Sequence, residues 1–189
     1  MPSIKVEPDH IMDRLTEVFR TVGYEGATLS KLSKATGLQR ASLYHRFPGG
    51  KKEMAEAVLT RASAWLDTHV LAPLTGSGTP HARLQKMAQA LDRFYAQGNT
   101  SCLLDSLSFG EGSDIFHDHI RAAFAHWIEA LAALVVESTG YPKAEARQRA
   151  EDAVLSIQGA LVLARGTGNT QPFQRVLKNL PTLLLTERR

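Results

Sequence analysis

The residues most able to do chemistry crowd into one stretch. Between Gly26 and Lys52 lie Lys31, Lys34, Arg40, Arg46, Lys51 and Lys52, with no acidic residue among them. A local field of one sign suits a polyanion. The wider balance points the same way. Nine Lys/Arg stand against five Asp/Glu from Met1 to Lys52, and thirteen against fourteen over the remainder, so the first quarter carries all of the net +3. Charge alone leaves a second explanation, a solvated basic face.

Catalytic patterns are scarce. Gly50-Lys51 hints at a phosphate loop, but that motif needs glycine at position 45, where His45 stands, and Ser or Thr at position 52, where Lys52 stands. No Gly-x-Ser-x-Gly elbow occurs. Asp114, His117, Asp118, His119 and His126 form the densest cluster of potential metal ligands. Asp114 and Asp118 are one helical turn apart and His119 and His126 two turns, yet the two pairs point in different directions. Such groups at the start of a helix more often serve the surface and the helix dipole. The lone Cys102, beside Leu103 and Leu104, rules out an internal disulfide or a cysteine zinc site and fits a small buried hydrophobe. The expectation is no enzyme, no metal and no cofactor.

The elements that must position the basic stretch are helices. Ile11, Leu15, Val18 and Val22 recur at helical spacing and predict a helix ending near Gly23. Thr28 is placed to cap a short helix carrying Leu29 and Leu32, which Gly37 ends. A third runs from Gln39 to Arg46 and stops at Phe47-Pro48-Gly49-Gly50. Two short helices separated by a glycine turn, with Leu32, Leu38 and Leu43 able to pack between them, make a helix-turn-helix, whose second helix fits the major groove. Beyond residue 50 the pattern predicts longer helices: Lys51 to Leu74, one through Leu84 to Phe94, a short one from Ser101 to Phe109, one through Phe116 to Val135, one through Ala150 to Leu161, and a last through Phe173 to Leu184 that Pro181 should kink. The fold class is all-α, about nine helices, with no strand.

At this point the residues resemble a known family. Gly37-Leu38, Ser42-Leu43-Tyr44-His45 and Phe47-Pro48-Gly49-Gly50-Lys51 are similar to the signature of the tetracycline-repressor (TetR) family of bacterial transcriptional regulators, the last run to one branch of it. The motif similarity covers about residues 8 to 59; the rest matches in helix number, length and order. The resemblance implies a homodimer that binds double-stranded DNA at an inverted repeat and releases it when a small molecule enters the larger domain. It divides the chain into a DNA-binding domain at 1–50 and an effector-binding and dimerisation domain at 51–189. By position it implies phosphate contact for Thr28 and Lys51, base contact for Arg40 and Ala41, backbone contact for Ser42 and Tyr44, and either for His45. Three residues depart from the family pattern: Ser33 replaces the usual alanine, Gln39 the small hydroxyl residue that caps the recognition helix, and Ala41 a frequent glycine.

Two expectations concern the larger part. Ala150, Ala153, Val154, Ile157, Leu161 and Ala164, with Phe173, Val176, Leu180 and Leu184, form two apolar stripes that suit a four-helix dimer interface or burial within one subunit; the resemblance favours the dimer. The helices between Trp65 and Leu161 carry large apolar groups, with Phe94, Phe109 and Trp127 as wall candidates and Cys102 and His126 as polar contacts for a lipophilic effector. The same stripes describe an ordinary core, and a regulator without a ligand or a helical-bundle enzyme or metal protein is the alternative. The N-terminus lacks a secretory signal and no apolar run approaches the length of a membrane span, so a cytoplasmic, non-membrane protein is expected.

Overall fold

The computed structural model describes residues 8–186; the first seven residues, on which most of the export reading rests, lie outside them. Among the described residues the chain is all-α. Its helices are α1 (Pro8–Gly26), α2 (Leu29–Thr36), α3 (Arg40–Arg46), α4 (Gly50–Leu66), α5 (Pro80–Phe94), α6 (Leu103–Ser106), α7 (Glu111–Thr139), α8 (Lys143–Thr167) and α9 (Gln171–Leu185). A π-helical segment (Asp67–Leu71) and a 3-10 turn (Ala72–Thr75) follow α4, and a second 3-10 turn (Ala96–Gly98) follows α5. The chain divides into two compact units: one runs to Ala62 and adds Leu103–Asp118, the other comprises Ser63–Cys102 and the chain from His119 on.

The first unit is built on the predicted periodicity. Ile11, Leu15 and Phe19 of α1, Leu32 of α2, Leu43 of α3 and Met54, Val58 and Leu59 of α4 are all buried. The α1 helix bends at Gly23 (φ 66°) and continues to Gly26. There the Ser106 hydroxyl donates to the Arg20 carbonyl at 3.0 Å, joining α6 to α1. Tyr24 meets Phe116 edge to face with ring centroids 5.1 Å apart. Across α1 and α4, Arg61 reaches the Asp13 carboxylate at 2.7 Å.

In the second unit α8 and α9 pack on each other and α9 packs also on α5. The alanine-rich face of α8 permits this approach: Ala146, Ala150, Ala153, Ala160 and Ala164 are buried with Val154, Ile157 and Leu161. Opposite them Phe173, Leu177, Leu180 and Leu184 are buried on α9. The stripes expected to form a dimer interface are therefore largely consumed within the chain. Periodicity reports that a face is covered, not what covers it. What α8 leaves exposed is Leu155, Val162 and Leu163, and α9 adds Leu183. An ion pair braces this unit: Arg83, 5% exposed, donates to the Leu74 carbonyl at 2.8 Å and grips the exposed Glu137 carboxylate with both terminal nitrogens.

Local details differ from the sequence expectation. The helix expected to reach Leu74 gives way at Asp67 to the π-helical segment and then the 3-10 turn that holds Pro73. The segment from Ser101 to Phe109 is helical only over Leu103–Ser106. Pro181 does not end α9, which continues to Leu185 with Leu180 and Leu184 buried on either side; packing outweighs the hydrogen bond that proline removes. Finally, α7 contains an 18-residue window of mean hydropathy 1.3, so by length and composition it meets the membrane-span test that no run was expected to approach. Trp127, Leu131, Leu134 and Val135 on this helix are buried within the protein, and 33% of that window is buried in all.

Candidate nucleic-acid interface

The interface starts from the turn. Thr28 sits before α2 in extended conformation (φ −72°, ψ 153°) and its hydroxyl accepts the Lys31 N–H at 3.3 Å. A cap of this kind contributes about 1 kcal/mol. At the other end Gly37 ends α2 in the left-handed region (φ 71°, ψ 5°), where a side chain would be strained. The turn is also tied by hydroxyls: Thr36 donates to the Leu32 carbonyl at 2.8 Å and Ser33 to the Leu38 carbonyl at 2.5 Å. Ser33, a departure from the family pattern, thus satisfies a carbonyl that alanine would leave to solvent.

Helix α3 turns one side chain inward. Leu43 is fully buried, while Arg40, Ala41, Ser42, Tyr44, His45 and Arg46 are all exposed. Five of the seven predicted DNA-binding residues therefore share one short helix and its open surface. Phe47, buried, closes α3 by donating its N–H to the Leu43 carbonyl at 2.8 Å. Gly50 (φ 66°) then reverses the chain and leaves room for Tyr44, whose Cε1 would lie 3.3 Å from a Cβ at that position. The phenol is 45% exposed, so a single side chain both packs on the turn and presents its hydroxyl.

The cations divide into two kinds. Lys34, Arg40 and Arg46 are exposed and carry no ion pair among the described residues. Lys52 pairs loosely with Glu56 at 3.8 Å, and Lys31 donates to the Gly26 carbonyl at 2.9 Å. Lys51 is different: half-buried, it donates to the Tyr24 carbonyl at 3.1 Å and lies 3.9 Å above the Tyr24 ring. It clamps α4 to α1, which position in the motif does not reveal. Burial, then Glu111 and Glu56, raise the Tyr24 phenol above its ordinary value, so the ring under this ammonium stays neutral. Sequence reasoning also missed Glu53, whose carboxylate accepts the Gly49 N–H at 2.6 Å and so occupies part of the positive end of α4.

The residues assigned to an effector scatter more widely. Phe94 is half-buried, stacked on Trp65 at 4.7 Å and edge-on to Tyr95 at 5.0 Å. Cys102 is buried and accepts from the Tyr95 hydroxyl at 3.5 Å. Trp127 is 3% exposed, and its indole N–H finds no acceptor among the described residues. His126 instead lies on the surface, 3.4 Å from Asp67. Phe109 is 68% exposed and belongs to the first unit, so it walls no interior within the second. A groove of about 350 Å³ runs between α5 and α9, lined by Leu84, Ala88, Leu177 and Pro181 with His81, Gln85, Gln89, Asp92, Gln174 and Lys178; none of the five assigned residues borders it. Among the described residues no three His, Cys, Asp or Glu side chains gather as a metal site. In particular, His119 faces the Ser63 hydroxyl at 3.0 Å.

The fold and this surface define a helix-turn-helix regulator. Residues 11–58 match the family described as bacterial regulatory proteins, tetR family, and residues 77–179 match the C-terminal domain of LmrA/YxaF-like transcriptional regulators. The chain belongs to the TetR family, with an LmrA/YxaF-like C-terminal domain, and is a DNA-binding regulator of transcription rather than an enzyme. The HTH-type transcriptional regulator LmrA of Bacillus subtilis is 22% identical over 180 residues, covering 93% of this chain and 95% of LmrA. A TetR transcriptional regulator from Legionella pneumophila has the same fold, with a TM-score of 0.78 at 20% identity, covering 97% of this chain and 98% of that one. So does the TetR family regulator CifR, solved with 26-bp double-strand operator DNA, with a TM-score of 0.76 at 18% identity and coverage of 97% and 98%.

Proposed function

We propose that the chain acts as a homodimeric repressor that binds an inverted-repeat operator and releases it when a small lipophilic effector binds the 51–189 part. The observation that carries this reading is the open face of α3, where Arg40, Ala41, Ser42, Tyr44 and His45 are exposed and, among the described residues, no carboxylate pairs with Arg40. An arginine of this kind hydrogen-bonds a guanine edge with both arms, and hydroxyls and a lysine hold the phosphates. The roles assigned are base contact for Arg40 and Ala41, backbone contact for Thr28, Ser42, Tyr44 and Lys51, and either for His45. The operator DNA bound by CifR supports the same use of this fold. The run from Phe47 to Lys51 supports membership in one branch of the family, and binding to the chromosome supports a cytoplasmic workplace.

Dimerisation is supported by the apolar residues that α8 and α9 leave open, Leu155, Val162, Leu163 and Leu183. Two copies pairing these faces give the two-fold symmetry that an inverted repeat needs. The effector is supported by the aromatic cluster of Trp65, Phe94 and Tyr95 and by the buried indole N–H of Trp127, which is unpaired among the described residues. Buried donors rarely go unpaired, and a ligand oxygen is one partner that resolves it. Its effect on DNA requires unequal affinity for the DNA-competent and the released arrangements of the dimer.

Selection from a pool of random duplexes tests the reading. The expected product is an inverted repeat with half-site centres about one helical turn, or a multiple of it, apart. Equal retention of all sequences at every salt concentration contradicts it. Thermal-shift screening with medium-chain alcohols, ketones and lactones tests the sensor. A stabilising compound that also frees the selected duplex is expected, and Trp127→Phe should blunt its effect.

A further inference from the structure

Gln39 occupies an unusual position for its type. It is the residue immediately before α3, in extended conformation (φ −67°, ψ 154°), and its backbone carbonyl already accepts the Leu43 N–H at 3.0 Å. That is the capping position, where a short hydroxyl or carboxamide side chain normally folds back onto the first free N–H groups. Here no side-chain cap forms. The Gln39 side chain is exposed and makes no hydrogen bond among the described residues. By contrast, Thr28, in the corresponding place before α2, does cap its helix. The chain therefore gives up a cap, at a cost of about 1 kcal/mol, and keeps a free carboxamide at the leading end of the helix that enters the groove.

A carboxamide has a particular use there. It offers one acceptor and two donors, and in the major groove only adenine presents the complementary pair, the N6 amino group and N7, for a two-armed contact. The N-terminal residues of a recognition helix are the ones that meet base edges. Next to Gln39, Arg40 is exposed without an ion pair among the described residues, and Ala41 adds only a methyl group. We propose that Gln39 is a specificity-determining residue that reads an adenine in each half-site, beside the base pair read by Arg40. This rests on the DNA-binding reading above and adds a base contact that the family motif does not assign.

The test is parallel selection from random duplexes with the wild-type chain, Gln39→Ala, Gln39→Ser and Gln39→Glu, each checked by thermal melting. For the wild type, one A·T position in each half-site is expected to stand out. In Gln39→Ala the preference at that position alone should fall about 5- to 150-fold, the 1–3 kcal/mol of a two-armed base contact converted at 1.4 kcal/mol per tenfold. Gln39→Ser restores a capping side chain, so it should melt no lower than the wild type yet show the same relaxed position. Gln39→Glu should shift the position towards cytosine, whose amino group donates to a carboxylate. If Gln39→Ala binds all sequences equally more weakly, the side chain holds phosphate and the proposal is overturned. An unchanged selected sequence in all three variants overturns it as well, while leaving the DNA-binding reading intact. Failure of the wild type to enrich any sequence overturns both.

Discussion

The two compact units expose opposite things. In the first, α3 turns Leu43 inward and shows solvent six polar, charged or small side chains, none of them neutralised by a carboxylate among the described residues. In the second, α8 buries eight residues and still leaves Leu155, Val162 and Leu163 open, which no other described residue covers. An exposed polar helix braced by one leucine calls for a charged, patterned partner; an exposed apolar face calls for another apolar face. The difference teaches that exposure on a helix has meaning only together with the chemistry of what is exposed.

The largest expected effect separates the two faces of α8. Leu161→Glu puts a carboxylate into the α8–α9 core, where Leu161 is 3% exposed, and the chain should fail to fold. Leu163→Glu, two residues on, replaces a side chain that is 55% exposed. That variant should fold, with unchanged helix content, and sediment as a monomer that no longer holds an inverted repeat. A dimeric Leu163→Glu chain would move the interface elsewhere.

Next comes the brace of the recognition helix. Leu43→Ala should cost about 2–5 kcal/mol in chemical denaturation, as a fully buried leucine does, and weaken every DNA sequence together. Arg40→Ala sharpens the contrast, because its side chain supports nothing inside the protein. It should leave the melting temperature unchanged and cost about 1–3 kcal/mol on the selected operator, relaxing one position per half-site. A drop in stability of the same size would make Arg40 structural.

The smallest effect is confined to acid. The Arg83 guanidinium holds the Glu137 carboxyl below its ordinary value, chiefly by hydrogen bonding. A carboxyl depressed in the folded state stabilises fully above the ordinary carboxylate range, and that stability is lost as pH falls through the depressed value. Wild type should therefore lose more stability on acidification than Glu137→Gln does. Parallel curves would mean that the pair contributes nothing that titrates.

How much of this was legible in the residues follows the same contrast. The helix-turn-helix read cleanly because its determinants are local: the Thr28 cap, the Gly37 turn and the Phe47-Pro48 stop each act within a few residues. Lys51 read only in part. Its place in the motif is plain, but the Tyr24 carbonyl it grips lies 27 positions away. The apolar stripes of α8 and α9 read only as covered faces, because burial by α9 and burial by a second subunit leave the same periodicity. Phe109 and His126 have the residue types of a pocket wall, yet both are exposed; whether a side chain faces a core or solvent depends on packing between distant elements.

The central claim is that the open face of α3 binds DNA through charge and reads it through side chains. It is tested most directly by titrating salt against wild-type binding to the selected inverted repeat and to a scrambled duplex of equal length. The account predicts a loss of about a thousandfold or more between 50 and 200 mM salt on both duplexes, as several neutralised phosphates release their counterions. It also predicts a preference for the repeat of at least about a thousandfold at physiological salt. Binding that is indifferent to salt, or equal on the two duplexes, would contradict it.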